Sequence, residues 1–145
     1  PKSPQKTFDE PWTYPYLSVC ATGTHDTSTL RGWWEEDRAM SERFFHEILH
    51  CDGTAPYFCE PWICERIVNQ HLNSPSMLCV LPLQDWMSID GEVRYQGKPE
   101  DERINIPAIP RHYWRWRMHI TLEDLLTRAD FNRTLHDLIS DSGRG

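Results

Sequence analysis

Two apolar runs of strand length, each ending on polar residues, constrain this chain more than anything else in its sequence. The first lies in "YLSVCATGTHD", where Tyr16 to Ala21 is β-friendly and a glycine-containing turn follows. The second is "MLCVLPLQD", residues 77 to 85, which closes on Gln84 and Asp85. Continuous apolar runs of this kind fit strands covered on both faces. The residues between the runs change period. From Trp33 to His50 the apolar positions Trp33, Trp34, Met40, Phe44, Phe45, Ile48 and Leu49 gather on one arc at the helical repeat. A second helix is expected over Pro61 to Leu72, opened by the proline and stopped by Ser74-Pro75. The pattern is α/β, with two strand-loop-helix units.

The flanks are less regular. Residues 1–15 read as a proline-rich extended lead. Residues 86–110 read as a long loop with the charged, proline-containing stretch "GKPEDERINIPAIP", and length of that kind usually serves function. Thr121 opens a short helix with Asp124 in the capping-box position, and Asp130 is expected to cap a last helix through Ile139. Residues 141–145, with Gly143 and Gly145, read as a flexible tail of a single unit spanning 1–145.

Composition narrows the partners. A formal net charge of −7 lacks the basic face that nucleic acid or an anionic membrane requires, and no apolar run has the length of a membrane span. Seven tryptophans fit a bulky core or a sugar-handling surface equally well. Cys20, Cys51, Cys59, Cys64 and Cys79 form no C-x-x-C pair and follow no signal-peptide pattern, so a reducing, cytoplasmic setting is expected. His46-Glu47-x-x-His50 spells the zinc-protease motif. Pro56 stands where a third histidine ligand belongs, and both imidazoles fall opposite the aromatic arc, so a solvated helix face is the better reading.

The sharper candidate is His25-Asp26, at the end of the first apolar run. An imidazole and a carboxylate at a strand mouth can bind a polar ligand. The alternative is that Asp26 caps the helix beginning near Thr29. The residues alone leave both open.

Three stretches in order, "YLSVCATGTHDTSTLRGWW", "PSMLCVLPLQDWMSI" and "ERINIPAIPRHYWRWR", resemble the 4-alpha-glucanotransferases of glycoside hydrolase family 77. "GWWEEDR", and Thr27-Ser28 where short bacterial members have Asn-Asp, look more like the larger subtype with starch-binding modules. The resemblance implies the C-terminal part of a (β/α)8 barrel, its strands 7 and 8 with their helices, ending at "SDSGRG". It implies that His25 binds sugar at the cleavage subsite and that Asp26 is the carboxylate stabilising the distorted transition state. Asn105, in "RINIP", would line the same pocket, while Gln84 and Asp85 are structural. The nucleophile and the acid/base of this retaining reaction would lie upstream of Pro1, leaving the isolated chain inactive. The ligands would be alpha-1,4-glucans or maltooligosaccharides, with neither cofactor nor metal. The chain's protein partner would be the rest of the barrel or a second copy. A second possibility is a stand-alone carbohydrate-binding or interaction module with Trp33, Trp34, Trp114 and Trp116 as stacking platforms.

Overall fold

A computed structural model describes residues 6–145 of the chain, so part of the expected extended lead lies outside the described residues. The rest of the lead includes a single 3-10 turn, Pro11–Thr13, which lies against the third helix. The two apolar runs meet. Strand β1 (Val19–Cys20) pairs in parallel with β2 (Leu78–Cys79), Val19 opposite Leu78 and Cys20 opposite Cys79. Met77 N donates to Tyr16 O at 2.8 Å and Val80 N to Cys20 O at 3.0 Å, so the pairing reaches slightly beyond the regular ladder.

Both strands are shorter than the apolar runs that carry them. Each has one hydrogen-bonding neighbour among the described residues, and the second run is cut by Pro82. Proline donates nothing to a ladder and favours the start of a helix. Helix α4 (Leu83–Met87) therefore begins where the strand was expected to continue, and it carries Gln84 and Asp85 inward.

The stretch expected to form one helix from Trp33 to His50 is two helices, α1 (Leu30–Glu36) and α2 (Arg38–Glu47). Asp37 makes the break. Its backbone leaves the helical region at φ −141°, and its carboxylate accepts from Met40 N at 3.1 Å as the cap of α2. A short acidic side chain competes with helix continuation by offering this local bond. The buried Ser41 hydroxyl donates to Trp34 O and Asp37 O across the junction. At the far end His50 sits at φ 53°, in the left-handed region where helices terminate.

Helix α3 (Pro61–Leu72) has the expected bounds, with Pro61 in its first turn. It lies at the centre of the core, where Ile63, Cys64, Ile67, Val68 and Leu72 are buried with Leu30, Trp34, Phe45, Leu49 and Met87. Helices α5 (Leu122–Thr127) and α6 (Ala129–Asp141) complete the described elements. Thr121 caps α5 by accepting from Asp124 N at 3.1 Å. Asp130 does not cap α6. The flanking residue is Arg128, without a side-chain cap, and Asp130 stands in the first turn, where its charge suits the helix dipole. Phe131 anchors α6 in the core.

Within the segment expected to be a flexible tail, Arg144 donates to four carbonyls, those of Leu72, Ser74, Ser76 and Met77. That fork ties the end of α6 to the turn between α3 and β2. No helix among the described residues is long and apolar enough to cross a membrane.

Candidate functional site

The turn after β1 is built from Thr24 to Thr27. Thr27 N donates to Thr24 O at 3.2 Å and Thr24 N to Thr27 Oγ1 at 2.9 Å, closing the turn twice. Gly23 permits the approach, because a Cβ there would stand 2.8 Å from Thr27 Oγ1. The cap of α1 is Thr29, whose hydroxyl accepts from Gly32 N at 3.2 Å. Asp26 is therefore not the helix cap, and its carboxylate is free for other work.

That carboxylate is held from two sides. Asn105 Nδ2 donates to Asp26 Oδ1 at 2.6 Å, and His25 Nε2 lies 3.4 Å from Asp26 Oδ2. Asn105 N also donates to His25 O at 3.1 Å, so the distant "RIN" segment is joined to the turn by backbone as well as side chain. Arg103 strengthens the join: it donates to Ser28 Oγ at 3.2 Å, to Asp26 O at 3.4 Å and to Asn105 O at 2.9 Å. His25 and Asp26 remain about half exposed, with side-chain accessibilities of 54% and 48%, so a ligand can reach both. Trp114 packs its ring 5.1 Å from that of His25 and is itself exposed. The three residues expected at the site, His25, Asp26 and Asn105, are thus brought together, Asp26 and Asn105 from positions 79 residues apart in sequence.

Beneath this surface lies a buried polar layer. Asp85 is fully buried; Oδ1 accepts from Leu30 N at 2.9 Å, and Oδ2 accepts from the Thr22 hydroxyl. Burial raises its carboxyl above the usual range against the lowering effect of these two bonds. Gln84 Nε2 donates to Glu102 O at 3.2 Å. Both residues bind strand end, helix start and loop together, which is the structural part expected of them. Sequence reading missed Glu102 and Arg103, which lie in the run "PEDER". Five charged or proline residues in a row look like a solvated loop, yet the 3-10 turn Pro99–Glu102 folds Glu102 inward against α1. The "R-x-N" spacing was the available signal for Arg103; nothing local marks Glu102 as buried.

Other candidates disperse. The helix carrying His46 ends at Glu47, so His46 and His50 do not share a helical face. His46 is engaged by Glu42 Oε1 at 3.1 Å and Cys51 O at 2.8 Å, while the His50 ring lies against Trp12. No group of three or more His, Cys, Asp or Glu among the described residues is disposed to hold a metal ion. Of the proposed stacking tryptophans, Trp34 is buried and donates to Pro56 O at 3.0 Å, and Trp33 packs edge-on to Phe8 and Phe44. Trp116 packs against the core, which leaves Trp114 as the exposed one.

Comparison with known proteins agrees with the three motifs. The family model described as 4-alpha-glucanotransferase matches residues 1–123. The 4-alpha-glucanotransferase DPE2 of Oryza sativa subsp. japonica is 41% identical over 145 residues, 99% of this chain and 15% of the relative. The chloroplastic/amyloplastic 4-alpha-glucanotransferase of Solanum tuberosum is 26% identical over 132 residues, 87% of this chain and 19% of its own length. The structure resembles that of the amylomaltase from Streptococcus agalactiae in complex with acarbose, with a TM-score of 0.67 and 23% identity, over 93% of this chain and 23% of that one. The chain thus spans less than a fifth of the length of either plant relative and has the fold of one part of an amylomaltase. On this evidence the chain belongs to the 4-alpha-glucanotransferase family, glycoside hydrolase family 77.

Proposed function

We propose that this chain forms the carboxyl-terminal strands, 7 and 8, of a (β/α)8 barrel that transfers alpha-1,4-glucan segments by a retaining mechanism. The observation that carries the reading is the Asp26 carboxylate, held by Asn105 at 2.6 Å and flanked by His25 at the turn that follows a parallel strand. In this fold active sites occupy the carboxyl ends of the strands. The amylomaltase with similar structure was solved with acarbose bound, which supports a glucan-like ligand here.

In this reading Asp26 binds ring hydroxyls of the sugar at the cleavage subsite and stabilises its distorted, positively charged transition state, an electrostatic role. Asn105 and His25 fix the carboxylate before substrate arrives, so little reorganisation is needed during the reaction. The nucleophile and the acid/base belong to the remaining strands, and the chain by itself does not transfer glucan. No cofactor is required. The exposed apolar side chains of the strand pair, Leu17, Val19, Leu78 and Val80, support a partner sheet against it: the rest of the barrel or a second copy. The five cysteines, all free, suit a cytoplasmic setting.

Glucose release from maltose tests this. With the complete barrel, Asp26→Asn should lower kcat roughly 10²- to 10³-fold while the fold is kept. Unchanged kcat, or transfer by the 145-residue chain alone at the intact rate, overturns the reading.

A further inference from the structure

Glu102 is the most anomalous charged group among the described residues outside the Asp26 cluster. It is 2% exposed, and neither carboxylate oxygen accepts a hydrogen bond from the described residues. Its nearest counter-charge is Arg31 of α1, 3.5 Å away, itself 9% exposed and bonded to Tyr95 O at 2.8 Å. A carboxyl group in such surroundings is costly unless it is held by neighbouring donors. A surface loop has no need of one.

Its position explains what it can do. Glu102 is followed directly by Arg103 and, three residues on, by Asn105, the pair that grips the His25-Asp26 turn. Its own carbonyl is held by Gln84 of α4. A cavity of about 40 Å3 separates it from the turn, lined by Thr24, His25, Thr29, Gln84, Glu102 and Ile104. Glu102 thus stands between α1 and α4, which the core fixes, and the segment that holds the candidate site.

We propose that Glu102 is a positioning residue: paired with Arg31 and packed between α1 and α4, it holds the 103–105 segment in the register that places Asn105 on Asp26. It touches no substrate. Its effect on a glucan passes through Asn105, and that consequence rests on the function proposed above, whereas the positioning itself does not.

Amide hydrogen exchange of the full chain, resolved by NMR, separates the two. Asn105 N–H bonds to His25 O and reports the grip, whereas the amides of Ile67 and Val68, inside α3, report the fold as a whole. Glu102→Leu, which removes both oxygens, should speed exchange at Asn105 roughly tenfold and leave the α3 amides within about twofold. Glu102→Gln keeps one acceptor and the shape, and should stay within about twofold of the parent at Asn105. Arg31→Lys keeps the charge but loses the guanidinium's reach, and it carries the test if the leucine variant does not fold: exchange at Asn105 should again rise alone. The proposal is overturned if Asn105 is unchanged, if Asn105 and α3 loosen by the same factor, or if glutamine is as damaging as leucine. The Asp26→Asn kinetics of the complete barrel report on the proposed function alone, so an unchanged kcat there leaves the exchange result standing.

Discussion

Burial of Glu102 has a pH signature as well as a geometric one. Removal from water, opposed by Arg31 and reinforced by buried Asp85, raises its carboxyl to about 7. The charged groups facing it are Arg31 of α1, Asp85 of α4 and Arg94 of the following loop. Between an unfolded value near 4.5 and a folded value near 7, the folded state binds the extra proton. Its contribution is therefore complete below the unfolded value and is lost as pH rises through the folded one. At most about 3 kcal/mol is at stake in that window. Urea unfolding at pH 5, 6, 7 and 8 should show stability falling with pH, and Glu102→Gln should flatten that slope. An identical slope in the variant would mean that the carboxyl titrates normally. His71 works in the opposite sense: buried, with Nδ1 on Ile67 O, its imidazole is held below the ordinary value by desolvation. Its contribution is present above the unfolded value and fades as pH falls. The falling slope assigned to Glu102 should therefore be judged against the variant, which retains His71.

Among the elements, Asp37 decides whether one helix or two cross the core. Asp37→Ala removes the bond to Met40 N and should cost about 1 kcal/mol in thermal or urea unfolding. A neutral result would show that Ser41 and the packed arc alone hold the junction. This break also marks the limit of periodicity as a guide. The arc from Trp33 to Leu49 was legible because both helices bury the same side, but the cap inside it was not, since Asp in a helical pattern also reads as a solvated position. Helix α3 was legible at both ends because Pro61 and Ser74-Pro75 are backbone signals, independent of tertiary contacts. The strands were legible as apolar runs and too long as strands, because pairing needs a neighbour and Pro82 diverts the second run into α4. At the site, His25, Asp26 and Asn105 stood out in the sequence through motif resemblance. The Glu102 carboxyl did not, because its burial depends on α1 and α4 arriving from elsewhere in the chain.

Across the whole molecule, the polar and apolar halves of the strand pair answer different needs. Its inner side meets α3 through Cys20, whose thiol donates to His71 O at 3.5 Å, whereas Leu17 is 83% exposed and Val80 61%. Two strands have two outer edges, and neither edge is hydrogen-bonded to a further strand among the described residues. Unpaired N–H and C=O groups beside exposed aliphatic side chains make a template for another sheet. The chain in isolation should therefore self-associate through this face, with a light-scattering mass that rises with concentration. Replacing Leu17 and Val80 by lysine together removes apolar surface and adds like charge, and should weaken association at least about tenfold. The α3 core lies elsewhere, so the far-ultraviolet spectrum of the variant should match the parent. A monodisperse monomer for the unsubstituted chain over a wide concentration range would show that this face needs no partner, and would remove the apolar argument for a completing sheet.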